Sequence, residues 1–212
     1  ERWECINRNP ALPIAPLKVE QQEKKPLEPD EIRRFLQNVN GGWKTLFQVL
    51  IFTGLRIGEV LALQKDDIDL DENVIHINRE IFWLRKKELQ GTETEGQPLW
   101  RYSTPKTKKS KRAVVIRSRT LKEALVQHLL TSPENPNSLV FFTKNGTPRS
   151  PRNVYRKFQE TLKKAGLRRI PLHRLRDTYD ALEIAAKTPA KFIQQQMGHA
   201  SITTTFDVYG TP

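Results

Sequence analysis

The apolar segment at residues 41–54, GGWKTLFQVLIFTG, constrains the fold of this chain more than any other stretch. Its longest apolar part, residues 46–53, is interrupted by Gln48 and is far shorter than the roughly 20 residues of a membrane-spanning helix. A chain of 212 residues can bury a sizeable core, so the segment predicts a helix of a globular, soluble protein. Gly54 stands at its end and is expected to terminate the helix.

Helical patterns extend over most of the chain, with strand-like patterns between them. Helices are expected at residues 29–39, 41–54, 55–63, 120–130, 153–166, 173–187, 189–198 and 201–209. Strands are expected within residues 66–77, 99–106, 112–118 and 138–150, the last with an Asn-Gly turn. These patterns predict a mainly α fold with a small antiparallel β-sheet, which is an α+β class.

The first 26 residues differ in composition from the rest of the chain. Residues 1–26 carry four prolines and many charges with little periodicity, which is typical of a linker or the remnant of an upstream domain. Residues 27–212 are expected to form one domain. The chain begins at Glu1, so we expect a fragment or a processed product. A single cysteine, Cys5, excludes an internal disulfide and a cysteine-based zinc site, and favours a reducing, cytoplasmic compartment.

The charge balance favours a polyanionic partner. The chain has 36 Lys and Arg against 24 Asp and Glu, which leaves a formal net charge of +12. Such an excess favours nucleic acid over a membrane surface or an acidic protein. No export segment is recognisable at the N-terminus, so no membrane association is expected.

Two arginines stand in helical segments with a nearby polar residue. Arg56 is expected to be partly buried at a helix start and therefore to need an anion, for which Glu59, three residues on, is the structural candidate. His173 and Arg176 are separated by one helical turn and are expected to project from one face. Arg56, or His173 together with Arg176, could bind a phosphate. Alternatively, each pair could be purely structural.

A lysine-rich segment is expected in a hairpin between two strands. Its first lysine, Lys106, follows Pro105 and is expected to be held by the fold. The others are expected to contact phosphates, although charge runs are often simply solvated. These DNA-binding candidates are Lys108, Lys109, Lys111 and Arg112.

The end of the chain contains a Gly-His pair followed by a tyrosine. Gly198 is expected to end one helix, and Ser201 can cap the next. His199 is therefore expected in a tight turn between helices. Tyr209 follows ten residues after it.

The order of these residues resembles the tyrosine recombinase (phage integrase) family. The motifs that match are TGLRIGEVLAL, PKTKKSKR, LHRLRDT and MGHASITTTFDVYG, and the resemblance covers residues 27–210. It implies the catalytic fold of DNA breaking-rejoining enzymes. It also implies a site-specific recombinase that integrates or excises a phage or other mobile element through a 3′-phosphotyrosine intermediate.

The resemblance implies phosphate-binding roles for four residues. Arg56 and Arg176 match the two arginines that bind the scissile phosphate, and guanidinium forks suit phosphate oxygens. His199 matches the histidine that donates a hydrogen bond to the phosphate. Glu59 matches an acidic residue that orients this site without touching the substrate.

The remaining implied roles concern nucleophilic attack and proton transfer. Tyr209 matches the nucleophile, whose phenol has an ordinary pKa near 10 and needs assistance at neutral pH. Lys106 matches the general acid for the leaving 5′-oxygen, and His173 the residue that assists the proton of the tyrosine.

Two aspartates depart from the family pattern. Asp177 stands where the family often has histidine, and Asp180 where a small apolar residue is usual. Asp180 lies four residues after Arg176 and is expected to pair with it and to tune activity. Its replacement by alanine is expected to change the cleavage rate.

No cofactor or metal is expected. The phosphotyrosine link conserves the bond energy, so ATP is not required. Asp67, Asp69 and Asp71 follow the spacing of a calcium loop only in part, because Glu72 replaces the required glycine and Asn78 the closing glutamate. This acidic run is interpreted as a solvated turn.

The implied partner is double-stranded DNA at attachment sites. The resemblance implies a homotetramer on DNA for the full-length protein, and a monomer that binds DNA weakly is expected for this fragment. A catalytically silent DNA-binding regulator and an enzyme resembling type IB topoisomerases are the alternatives. The presence of all six catalytic residue types disfavours the regulator, and the Gly-His motif disfavours the topoisomerase.

Overall fold

The computed structural model describes residues 25–84, 99–103 and 111–198. Within these ranges the helices are α1 Pro29–Gln37, α2 Gly42–Thr53, α3 Ile57–Ala62, α4 Arg119–Thr131, α5 Pro151–Lys164, α6 Arg174–Ala185 and α7 Ala190–Met197. The strands are β1 Ile68–Asp69, β2 Val74–Ile77, β3 Glu80–Trp83, β4 Trp100–Ser103 and β5 Arg112–Val115. The predicted α+β class is confirmed.

Helix α2 lies at the centre of the core. It packs against α4 and α6, and eight of its twelve residues are buried. Phe47 of α2 meets Phe35 of α1 and Phe158 of α5 with ring centroids 5.2 and 5.8 Å away. Gly54 ends the helix as predicted, with φ +62°. Helix α2 thus fixes the position of residues 54–56, which follow it, against the core.

The strands form two small antiparallel sheets. One has the order β1-β2-β5 and aligns Ile75 with Val114; the other pairs β3 with β4 and aligns Ile81 with Tyr102. The strands on either side of the lysine-rich segment therefore belong to different sheets, and the expected hairpin between them is wrong. Val114 is fully buried opposite Ile75, so the apolar face of β5 is satisfied by β2 and not by β4.

Two further expectations are corrected. The segment at residues 138–150 forms only isolated bridges, Gln64 with Leu139 and Phe142 with Pro148, although it turns at Gly146. The acidic turn is only partly solvated, because Asp67 is 4% exposed. Its carboxylate accepts hydrogen bonds from the Gln64 backbone N–H at 2.9 Å and from Asn78 Nδ2 at 2.8 Å. A buried carboxylate needs such donors.

The described ranges lack two kinds of feature. No helix there is long and apolar enough to cross a bilayer. No group of three or more histidine, cysteine, aspartate or glutamate residues in those ranges is arranged to hold a metal ion.

Candidate active site

Arg56 immediately precedes α3 and is held by the helix that follows. Its backbone N–H donates to Glu59 Oε2 at 2.9 Å, and its Nη1 donates to Glu59 Oε1 at 3.0 Å. The i, i+3 pair that the sequence offers is therefore present. The Arg56 side chain is still 46% exposed, so it remains accessible to a ligand.

Glu59 is buried between two arginines. Besides Arg56, it accepts two hydrogen bonds from Arg112, Nη1 to Oε1 and Nη2 to Oε2, both at 2.9 Å. Burial acts to raise the pKa of Glu59, but the hydrogen bonds and charge of Arg112, assisted by Arg56, outweigh it, and the pKa lies below its ordinary value. Glu59 is therefore an ionised carboxylate with both oxygens fully engaged.

Arg112 begins β5, and its side chain is only 7% exposed. Besides its contacts with Glu59, its Nε donates to the backbone carbonyl of Gln196 at 2.7 Å. This burial differs from the exposed position that a phosphate-binding arm requires. The physical reason is the unpaired charge that Glu59 would otherwise carry in the core. Lys111, one residue earlier, is exposed.

Arg176 projects from α6 toward the ends of two other helices. Its guanidinium donates to the carbonyl of Gly54, after α2, and to the carbonyl of Met197, at the end of α7. Burial, followed by the positive charge of Arg56, lowers the pKa of Arg176 to about 10. Arg176 is therefore protonated at neutral pH, and the positive charge of Arg56 contributes to its lowered pKa.

The end of α7 and Gly198, which follows it, accept hydrogen bonds from all three arginines. The carbonyls of residues 196, 197 and 198 receive donors from Arg112, Arg176 and Arg56 respectively, the last at a long 3.5 Å. A helix C-terminus carries a partial negative charge that favours such cations. Gly198 ends the helix with φ +65°, as predicted. Arg56 and Arg176, the two candidate phosphate-binding arginines, therefore lie together beside Gly198, the residue before His199.

His173 and Asp177 lie at the start of α6. His173 is exposed at the N-cap position and makes no capping hydrogen bond with its side chain. Asp177 forms an ion pair with Arg174. His173 thus lies one helical turn from Arg176, as the sequence predicts. The ion-pair partner of Asp177 is on the same helix.

Asp180 does not form the ion pair that the sequence suggests. Among the described residues the carboxylate of Asp180 forms no ion pair with the guanidinium of Arg176, whose donors go to backbone carbonyls. Asp180 is 2% exposed, and within the described ranges its buried Oδ1 has no hydrogen-bond partner. Burial raises the pKa of Asp180 to about 7, although the charge of Arg176 acts in the opposite direction.

Several candidates lie outside the described residues: Lys106, Lys108, Lys109, His199, Tyr209 and the expected helix at 201–209. One buried residue of the site was missed by sequence reasoning. Gln196 is 5% exposed, and its Oε1 accepts a hydrogen bond from the Val115 backbone N–H at 2.7 Å. The sequence could have indicated its burial, because Gln196 shares a helix face with the apolar Ile193 and Met197.

Comparisons with known proteins agree on one family. The model of the phage integrase family matches residues 25–211. The ICEBs1 integrase of Bacillus subtilis strain 168 is 31% identical over 219 aligned positions, which cover 98% of this chain and 56% of that protein. A tyrosine recombinase XerC-like protein of Caldanaerobacter subterraneus subsp. tengcongensis is 26% identical, covering 97% and 55%. The chain thus spans about half the length of the curated relatives it matches.

Solved structures show the same fold. The Tn1549 transposon integrase in complex with a circular intermediate DNA superposes with a TM-score of 0.78 at 21% identity, covering 98% of this chain and 68% of that one. The XerA recombinase superposes with a TM-score of 0.69 at 23% identity, covering 89% and 61%.

Proposed function

This chain belongs to the phage integrase family, and on that premise we propose that it is the catalytic part of a site-specific DNA recombinase. In this proposal residues 27–212 form the catalytic domain, and residues 1–26 connect it to a separate DNA-binding domain. The observation that carries the proposal is the convergence of Arg56 and Arg176 beside the end of α7, with Glu59 buried behind them.

The proposed reaction is a phosphoryl transfer without metal or ATP. The Tyr209 oxygen attacks a DNA phosphodiester, which forms a 3′-phosphotyrosine and releases a 5′-hydroxyl. A second 5′-hydroxyl then attacks the phosphotyrosine and restores the phosphodiester on a new partner. Negative charge on the non-bridging oxygens is greatest in the transition state, where fixed cations are most effective.

Each candidate has one role in this scheme. Arg56 and Arg176 bind the non-bridging oxygens, and His199 donates a further hydrogen bond to them. Lys106 protonates the leaving 5′-oxygen, and His173 assists removal of the proton from Tyr209. The support from the structure is the position of the two arginines; the roles of the other residues rest on the family resemblance.

The proposed partner is double-stranded DNA at attachment sites, inside the cytoplasm. The net charge of +12 favours such a partner, and several family relatives are named integrases of mobile elements or phages. We propose a tetramer on DNA for the full-length protein and a monomer for this chain alone.

A nicked DNA substrate that carries a candidate attachment site tests the proposal. Loss of the short fragment beyond the nick traps the covalent complex, which denaturing electrophoresis detects. The expected result is an adduct with the wild-type chain that is absent with Tyr209→Phe and strongly reduced with Arg176→Lys. An adduct that persists in Tyr209→Phe would contradict the assignment of the nucleophile.

The same substrate separates the alternatives. A silent DNA-binding regulator gives no adduct in any variant. An enzyme of the topoisomerase type forms the adduct and relaxes supercoiled DNA, but does not join two duplexes at a defined sequence. Joining of two attachment sites is the result that the recombinase proposal requires.

A further inference from the structure

Arg112 connects three parts of the candidate site, although the sequence places it among residues expected to contact DNA. It begins β5, donates two hydrogen bonds to Glu59 behind α3, and donates a third to Gln196 in the last turn of α7. We propose that Arg112 is a positioning residue for the phosphate site and does not contact phosphate itself. This inference rests on the proposed function.

Arg112 affects the net charge that surrounds Glu59. Glu59 carries one negative charge and lies against two guanidinium groups, Arg56 and Arg112. If Arg112 were absent, both carboxylate oxygens would be left to Arg56, whose positive charge would then be largely neutralised. With Arg112 in place, the three groups retain one net positive charge, and the exposed member is Arg56. Arg112 therefore keeps Arg56 electropositive for an anionic ligand.

Arg112 also fixes the position of the end of α7. The Arg112 guanidinium is held so close to this helix end that a Cβ added to Gly198 would lie 3.0 to 3.2 Å from its Nη1, Cζ and Nε atoms. Three residues beyond Arg112, the Val115 backbone N–H donates to the Gln196 side chain. Strand β5 is thus fastened to the last turn of α7 at two points, immediately before His199.

The planar shape of the Arg112 guanidinium suits this positioning role. Arg112 uses two parallel N–H···O bonds toward Glu59 and a separate Nε–H toward Gln196. A lysine supplies one ammonium point charge and cannot reproduce this fork. Arg112→Lys therefore keeps the charge, which a phosphate contact mainly needs, and loses the geometry, which positioning needs.

The test measures cleavage and DNA binding separately. Single-turnover cleavage of the nicked substrate is measured at saturating DNA, well below the Tm of each variant. We expect Arg112→Lys to lower this rate by about tenfold or more, because small displacements of catalytic groups are costly. We expect Arg112→Met in a Glu59→Gln background, which removes both charges of the buried pair and leaves Arg56 positive, to leave the salt dependence of DNA affinity unchanged. Loss of a phosphate contact would instead lower that slope by about one, and this result would overturn the proposal.

Two variants serve as controls. Arg79→Lys alters another half-buried arginine ion pair, with Asp67, that lies outside this network, so it should lower stability without changing the cleavage rate. Lys111→Ala removes an exposed neighbour and should lower the salt slope. A rate loss in Arg79→Lys equal to that in Arg112→Lys would overturn the proposal, because general destabilisation would then explain both.

A double variant tests whether Arg112 acts through Glu59. If it does, Arg112→Lys lowers the rate much less in a Glu59→Gln background than in the wild type. Fully multiplicative effects would overturn this route. A wild-type chain that forms no adduct would count against the proposed function. The salt slope of the Arg112→Met, Glu59→Gln double variant then decides by itself: an unchanged slope supports the buried role, and a slope lowered by about one refutes it.

Discussion

A Cβ atom added to Gly54 would lie 2.6 Å from Cδ1 of Tyr179. The end of α2 therefore lies so close to α6 that only a glycine fits there. The same glycine has φ +62°, and its carbonyl accepts a hydrogen bond from Arg176. The spacing of the two helices and the position of one candidate catalytic arginine therefore depend on a single residue without a side chain.

Gly54→Ala should destabilise the protein and impair cleavage. The left-handed backbone alone costs about 1 to 2 kcal/mol for alanine, and the clash with the Tyr179 ring adds to it. Gly166→Ala is the matched control, because Gly166 has φ +65° but nothing within 4 Å of its Cβ position. Urea unfolding should show the larger loss for Gly54→Ala; equal losses would mean that the ring relaxes without cost.

Glu59→Gln should lower the free energy of unfolding by about 3 kcal/mol or more, because it leaves two buried or half-buried guanidinium groups without their carboxylate. The pKa of Glu59 is lowered in the folded protein, so its contribution is present above about pH 4.5 and is lost as the pH falls. The variant should therefore also lose stability less steeply in acid.

Glu134→Gln is the control for this substitution. Glu134 pairs with Lys65 at 2.7 Å but is 86% exposed, and an exposed pair contributes about 1 kcal/mol or less. Urea unfolding between pH 3 and pH 7 compares both variants with the wild type. Similar losses for Glu59→Gln and Glu134→Gln would show that the buried network contributes little.

Asp180→Asn should stabilise the protein above neutral pH. Burial raises the pKa of Asp180 from 3.8 to about 7, so the folded protein holds this proton more tightly than the unfolded chain. The free energy of unfolding of the wild type should fall as the pH rises from about 4 to about 7, and the neutral amide should remove this fall. The difference at pH 8 should be roughly 1 to 3 kcal/mol.

The groups that influence Asp180 are Arg176, Asp177 and Glu183. Asp177→Asn is the comparison, because it breaks a partly buried ion pair with Arg174 and should lower stability at pH 8. Unfolding curves at pH 5 and pH 8 distinguish the two. The Asp180→Ala variant should also change the cleavage rate through Arg176; an unchanged rate would limit Asp180 to stability.

DNA binding by this chain should be weak and strongly dependent on salt. Each phosphate neutralised releases a counterion, so the affinity should fall steeply between about 50 and 200 mM salt. Fluorescence anisotropy with a labelled duplex measures the slope. An affinity that is constant over this range would argue against binding through the excess positive charge.

Local signals in the sequence predicted local structure well. Gly54 and Gly198 both end helices in the left-handed conformation, because an apolar helical run followed by glycine determines its own termination. The pair of Arg56 and Glu59 was likewise accessible from their spacing within one turn. The catalytic roles carried over from the family remain predictions.

Long-range pairing was not accessible in the same way. Arg112 and Glu59 are 53 positions apart, and nothing in the basic run at 106–112 distinguishes the arginine that is buried from the lysines beside it. The pairing of β4 with β3 and of β5 with β2, which places β4 and β5 in different sheets, was equally inaccessible. Both depend on which apolar faces meet in the folded core, which a single sequence does not specify.

The end of α7, together with Gly198, has a consequence for solvation. The three carbonyls there occupy places around the guanidinium groups of Arg56, Arg112 and Arg176 that water would otherwise fill. These oxygens are part of the backbone, so they cannot reorient as water does. In the proposed function, an incoming phosphate would meet arginines that backbone oxygens already partly solvate, so less solvent would have to be rearranged when negative charge develops.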